Sequence, residues 1–400
     1  MSSSASPEVD PARVDVAEAA RWLDGRVLRT PVLRSPAIDR LAGVRVLLKA
    51  ENLQRGGSYK MRGGLFAVGR LAAAGHAGVI AQSTGNHAVA VALAARRHGL
   101  AATVVLPVDA PATKVERART AGARVVFAGT GVADRVAVAR RISDETGYPI
   151  VDAYDHPDVV AGQGTASLEL IEEAERAGTP LDALVLPVGG GGGVAGACLA
   201  VAGRPIEVYG VEPEGCDSLA RSLAAGHPTP VSPAATIADG LRPSCVGELP
   251  FAIVRNRLRG VVRVDDESIA EAFRLLLLEL KVLAEPSGAA GLAGALRLTG
   301  NAAALELNGN AAALELNGNA AVEFPGNAAN RRGTAAVELN GNAAVPPGGA
   351  AGDAESEAAE AGDGARRRYT VGVVLTGGNV EADLVARLAA PHRIKEGAAA

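Results

Sequence analysis

The sequence has only three cysteines, Cys198, Cys216 and Cys245, in 400 residues. They are odd in number and widely spaced, which leaves no disulfide framework and no CxxC metal clasp, so a reducing, cytoplasmic setting is expected. Charge of one sign is missing too: 40 basic residues against 44 acidic ones give a formal charge of -4. Such a balance offers no field for nucleic acid or for an anionic membrane, and small molecules are the expected ligands. No uninterrupted apolar run is long enough to span a bilayer, and residues 1–10 lack the basic start and apolar stretch of a secretory leader. Neither a nucleic-acid nor a membrane partner is therefore expected. What is present, 48% hydrophobic and 21% charged residues, suits a globular core with room for more than one domain.

From about Val44, short β-branched apolar runs alternate with longer alanine- and leucine-rich stretches of helical period. That rhythm predicts repeated βα units around parallel sheets, and hence an α/β fold. Strands are expected at Val79–Gln82, Thr103–Leu106, Arg124–Phe127, Ala183–Val188, Glu207–Val211 and Val371–Leu375. Ligands of open parallel sheets gather where strands end, so the loops after these runs are where chemistry is expected. Residues 300–366 break the rhythm: GNAAALELN occurs twice in succession, then decays toward an acidic tract. Glycine and asparagine at each junction interrupt any helix, and the aspartates of calcium-binding nonapeptide repeats are absent. The segment reads as a low-complexity insertion without stable structure, with a partner-binding arm as the alternative.

Four loops carry chemistry-bearing residues. The first holds Ser58, Tyr59 and Lys60 between glycines at a helix entry; a lysine among apolar and small neighbours loses solvent, its pKa falls, and its amine becomes available to a carbonyl. The second is Ser83-Thr84-Gly85-Asn86-His87, between a strand and a helix expected from Ala88, where hydroxyls, an amide and helix-start donors suit a carboxylate. The third is Gly189-Gly190-Gly191-Gly192-Gly193, which lets backbone N–H groups wrap a phosphate at the positive end of a helix. No GK[ST] follows, so it is not a P-loop. The fourth, Thr376-Gly377-Gly378-Asn379, presents a hydroxyl at a strand end, where it could meet a heterocyclic nitrogen. Each also has a plainer reading when taken alone: a solvated lysine, an N-capping turn, a glycine linker and an ordinary turn.

Together and in this order, these elements resemble the serine/threonine dehydratase family, which includes serine racemase and belongs to the tryptophan-synthase-β-like, fold-type II group of pyridoxal-phosphate enzymes. Further matching stretches are Asp158–Thr165, Val211–Glu214, Thr236–Gly240 and Ala284–Ala290. The resemblance implies two domains, a small one at residues 78–156 and a large one from 1–77, 157–299 and 367–400, with the insertion at 300–366. It implies pyridoxal 5'-phosphate on Lys60, flanked by Tyr59, Asn86, Glu285 and Thr376, with the phosphate on Gly189 to Gly193. Ser83, Asn86 and His87 would receive the substrate carboxylate.

The activity it implies is L-threonine or L-serine ammonia-lyase, in a homodimer. A neutral Thr376 hydroxyl would not keep the ring nitrogen protonated, which favours elimination. Thr84 stands where resembling racemases carry a proton-donating serine, so serine racemisation is an alternative. Elimination from another β-hydroxy amino acid, such as hydroxyaspartate or a hydroxyectoine-derived one, is a second, and a catalytically impaired cofactor-binding scaffold a third. Some relatives bind a divalent ion at places occupied here by Glu212, Cys216 and Ser218; only the neighbouring Asp217 could replace the missing aspartate, so no metal is expected. Tyr154 stands where relatives carry a second asparagine.

Overall fold

The computed structural model describes residues 10–83, 85–299 and 368–390. Thr84 and the expected insertion at 300–366 lie outside the described residues. The chain opens with α1 (Val16–Leu23), β1 (Val32–Leu33), α2 (Pro36–Ala42), β2 (Arg45–Lys49) and α3 (Lys60–Ala73). Three βα units follow: β3 (Gly78–Ala81) with α4 (Asn86–His98), β4 (Ala101–Pro107) with α5 (Ala112–Thr120), and β5 (Arg124–Ala128) with α6 (Val132–Thr146). After α7 (Pro157–Arg176) come β6 (Ala183–Pro187), α8 (Gly192–Ala200), β7 (Glu207–Pro213), α9 (Ser218–Ala225), α10 (Glu248–Val254), β8 (Gly260–Val264), α11 (Asp266–Glu279) and α12 (Pro286–Leu298). The last elements are β9 (Thr370–Val374) and α13 (Ala382–Ala389).

Two sheets result. One is parallel, in the order β3-β4-β5; the other runs β1-β2-β9-β6-β7-β8 and is parallel except for β1. All six expected strands are present, with ends within two residues of expectation. Their near-continuous apolar character has the usual cause in parallel sheets, which helices cover on both faces. Strand β9 illustrates it: all five residues are buried, and a Cβ on its Gly372 would stand 2.9 Å from each of Leu170, Leu181 and Leu184.

Capping fixes where helices start. Ser35 caps α2 through the amides of Ala37 and Ile38 ahead of Pro36, and His156 caps α7 through Asp158 ahead of Pro157. Behind α3 lies a buried ionic cluster. The Arg62 guanidinium, fully buried, binds both carboxylate oxygens of Glu51 (2.7 and 2.8 Å) and both of Glu169 (2.7 and 2.8 Å). Lys49, also fully buried, meets Glu169 at 2.7 Å and the carbonyl of Thr30 at 2.7 Å. Charges this deep persist only when fully paired, so the cluster ties β2, α3 and α7 into one arrangement two residues from Lys60. Among the described residues, no helix is long and apolar enough to cross a membrane.

Candidate active site

The four loops singled out in the sequence converge on one cavity of about 510 Å³, within the usual range for small-molecule sites. Its walls include Tyr59, Lys60, Ser83, Asn86, His87, all five glycines from Gly189 to Gly193, Glu285 and Thr376.

Lys60 is the first residue of α3, and its ammonium donates a 2.8 Å hydrogen bond to the carbonyl of Ala153. Burial depresses its pKa to about 8, partly offset by the nearby Asp152. A minor but far larger than usual fraction of the amine is therefore neutral near physiological pH. Tyr59 is anchored through its backbone N–H to the Thr376 carbonyl at 3.0 Å, which joins the lysine loop to the loop after β9. Burial, and then Glu285, hold the Tyr59 phenol protonated well above its usual range.

The glycine run is built as a cup. Helix α8 begins at Gly192, so Gly192 and Gly193 form its first turn and present unpaired N–H groups. Gly191 precedes it with φ 90, a left-handed conformation that glycine adopts without steric cost. No residue with a side chain fits here: a Cβ on Gly190 would lie 2.1 Å from the Tyr154 ring, and one on Gly193 would lie 2.9 Å from the Tyr59 hydroxyl. Tyr154 thus covers one side of the cup, and its phenol is pushed up to about 12, by burial first and then by Asp152 and Asp155.

Helix α4 likewise starts at Asn86, two residues before the expected start at Ala88, so Asn86 and His87 sit in its first turn. Asn86 Nδ2 donates to Glu285 Oε1 at 2.7 Å. Burial, then Asp239, raise the Glu285 carboxyl to about 7, against the lowering effect of that hydrogen bond. The His87 side chain is turned to the backbone. Its Nε2 lies 2.8 Å from the Val151 carbonyl, which only accepts, so this nitrogen carries the ring proton. Burial, then Lys60, lower its pKa to about 4, so the ring is neutral and has no second N–H to give. The Ser83 hydroxyl accepts from the Gly85 N–H at 3.3 Å.

The sequence did not single out the cavity's cationic lining. Lys114 and Arg117 reach it from α5, Arg135 from the first turn of α6, and Arg242 from the segment before α10. With Lys60 these make, among the described residues, five cations against three carboxylates, Asp152, Asp239 and Glu285. Lys114 is paired with Asp239 at 2.7 Å and Arg242 Nε donates to the Ala234 carbonyl, whereas the buried Arg135 Nε has no hydrogen-bond partner among the described residues.

The possible metal ligands lie elsewhere and are otherwise engaged. Glu212 receives the amides of Leu219 and Ala220 at 2.8 and 3.0 Å, Asp217 pairs with Arg221 and Arg263, and the Cys216 thiol faces the Ala234 carbonyl. Among the described residues, no group of three or more His, Cys, Asp or Glu side chains is placed to hold a metal ion.

A low-pKa lysine facing a glycine phosphate cup across the ends of parallel strands defines a class, the fold-type II pyridoxal-phosphate enzymes. Comparison with known proteins agrees. Residues 23–310 match the family described as "Pyridoxal-phosphate dependent enzyme". The chain is 43% identical over 286 residues to an L-threo-3-hydroxyaspartate ammonia-lyase from Pseudomonas sp, covering 71% of this chain and 88% of that protein. It is 39% identical over 286 residues to a serine racemase from Oryza sativa subsp. indica, covering 70% and 82%. The crystal structure of a threonine deaminase from T.th. superposes with a TM-score of 0.71 at 37% identity, covering 92% of this chain and 98% of that one. The chain belongs to the pyridoxal-phosphate dependent enzyme family. Its residues fit the cofactor: a Cβ at any of the five successive glycines would collide with a neighbour, so backbone alone lines the cup, and a partly neutral lysine amine lines the same cavity.

Proposed function

We propose that the protein is an ammonia-lyase that removes water and then ammonia from a small β-hydroxy amino acid, leaving an α-keto acid. Among such substrates, the reading favours one with a second carboxylate on its β-carbon, 3-hydroxyaspartate, over L-threonine and L-serine. The observation that carries this preference is the unpartnered Arg135 Nε in a cavity with a surplus of cations. The β-hydrogen of serine and the β-methyl of threonine give that guanidinium nothing to bind, whereas a β-carboxylate forms a charge-assisted pair. The activity of the Pseudomonas relative, an L-threo-3-hydroxyaspartate ammonia-lyase, supports the same choice.

Bound through Lys60 and the glycine cup, pyridoxal phosphate supplies an electron sink for the pair left at the substrate α-carbon. The chain's own groups do the rest. The Ser83 hydroxyl and the backbone N–H groups of Asn86 and His87 at the start of α4 receive the α-carboxylate, while the His87 ring proton is held by the Val151 carbonyl. The Lys60 amine would take the α-proton as general base. Thr376 would hold the cofactor's ring nitrogen with a neutral hydroxyl, which does not keep that nitrogen protonated and so favours elimination of the β-hydroxyl. Tyr154 excludes water from one side of the cup.

The test is ammonia and keto-acid release from 3-hydroxyaspartate, threonine and serine, with Lys60→Ala and Arg135→Leu as variants. Lys60→Ala is expected to abolish all three activities. Arg135→Leu is expected to lower kcat/KM for hydroxyaspartate by about 10- to 100-fold, the effect of one charged hydrogen bond, and to leave threonine within about twofold. Equal losses on all substrates would remove the β-carboxylate reading, and full activity of Lys60→Ala the mechanism. D-serine formed from L-serine in the same assay would show the racemase activity that Thr84 suggests. The reading also takes residues 78–156 as a small domain that closes on the remainder, and the enzyme as a cytoplasmic homodimer; light scattering and cell fractionation test the latter two.

A further inference from the structure

Asn379 belongs to the loop after β9 but has no role in the chemistry above. Its Nδ2 donates to the backbone carbonyl of Gly56 at 2.8 Å and to Asn86 Oδ1 at 2.8 Å. Asn86 Nδ2 in turn donates to Glu285 Oε1 at 2.7 Å. The direction of this relay follows from its first member. A carbonyl can only accept, so the Asn379 atom facing Gly56 is the amide nitrogen, and it also faces Asn86. Asn86 must answer with its oxygen, which turns its nitrogen toward Glu285 and the cavity. Packing holds the pieces in place: a Cβ on Gly57 would lie 2.5 Å from Asn379 Oδ1, and one on Gly377 would lie 2.3 Å from Glu285 Oε1 and 2.9 Å from Asn86 Nδ2.

We infer that Asn379 is a positioning residue that fixes the polarity of the Asn86 amide, so that Asn86 meets the cofactor and substrate only as a hydrogen-bond donor. Glu285 takes one of the two N–H bonds, and the second is left for the cavity that Asn86 lines. The oxygen opposite Asn86 must then be an acceptor, which selects the anionic form of the cofactor's ring hydroxyl over its protonated form. This inference rests on the proposed placement of Asn86 beside the cofactor.

Two variants separate polarity from packing. Asn379→Asp reverses the relay, because a carboxylate repels both the Gly56 carbonyl and Asn86 Oδ1. Asn379→Leu keeps the shape and removes the polarity. The measurements are the dissociation constant of pyridoxal phosphate and the visible absorption band of the loaded protein, which reports the ring's protonation. Asn379→Asp is expected to weaken the cofactor by about tenfold or more and to diminish the visible band, consistent with loss of a charge-assisted hydrogen bond. Asn379→Leu should have a smaller effect in the same direction. Should Asn379→Asp fail to fold, Asn379→Leu still decides, since the inference requires it to weaken the cofactor and to diminish the band. Unchanged affinity and band in the Asn379 variants would overturn the inference, as would equal weakening by Asp and Leu with the band unaltered. Lys60→Ala provides the separate control: a visible band surviving in it would strike at the cofactor placement rather than at the relay.

Discussion

The Lys60 ammonium and the Ala153 carbonyl are joined by a 2.8 Å hydrogen bond, and the same carbonyl accepts from the Gln163 side chain at 3.1 Å. The lysine is thereby held toward the cavity while its burial favours the uncharged amine. Only the uncharged amine joins an aldehyde. The rate at which cofactor-free protein takes up pyridoxal phosphate should therefore rise about tenfold per pH unit below the folded pKa of about 8 and level off above it. Stopped-flow absorbance across that range checks this; a flat profile contradicts it.

Gly190 faces the Tyr154 ring with no space for a methyl group. Gly190→Ala should destabilise the protein by about 1–3 kcal/mol through overpacking and weaken phosphate binding. Combining it with Tyr154→Ala should recover much of the stability, because the obstructing ring is gone. Urea unfolding of the two single variants and the double variant measures the coupling, and strict additivity would place the strain elsewhere.

Arg62→Met tests the ionic cluster behind α3. Removing the guanidinium leaves Glu51 and Glu169 buried with fewer partners, and a loss of about 3–5 kcal/mol is expected. A loss below about 1 kcal/mol in denaturant titration would mean that water or Lys49 compensates.

Glu212 carries a pH signature remote from the cavity. Burial raises its carboxyl to about 8, only partly opposed by hydrogen bonds from the Ala220 and Leu219 amides. In the unfolded chain it titrates near about 4.3. Between these values the unfolded chain has released a proton that the folded protein keeps. The stability contribution is thus fully present below the lower value and is lost as pH rises through the upper one. Glu212→Gln should flatten that decline in melting temperature, and an unaltered slope would assign the titration to another group.

Much of the site could be read along the chain because its parts lie in consecutive loops after apolar runs. Lys60, Asn86, the five glycines and Thr376 all line the one cavity. What could not be read depends on distance in sequence. Arg62 meets Glu169 107 residues away, and Asn379 meets Asn86 293 residues away; neither partner leaves a local pattern. The cationic lining is invisible for the same reason, since Arg117, Arg135 and Arg242 belong to separate elements with ordinary surface-like sequence. Helix α4 begins two residues earlier than its apolar pattern implies, so His87 sits in its first turn, with Nε2 at the Val151 carbonyl. Glycine at the helix entry gives no side-chain cap to mark that boundary.

Strand β9 lies between β2 and β6, with Thr370 opposite Arg45 and Val371 opposite Ala183. The middle of the larger sheet is therefore supplied by nearly the last of its segments to leave the ribosome. During synthesis, β2 and β6 wait as open apolar edges that neighbouring nascent chains can pair with. A chaperone that shields unfinished chains should therefore raise the yield of active enzyme.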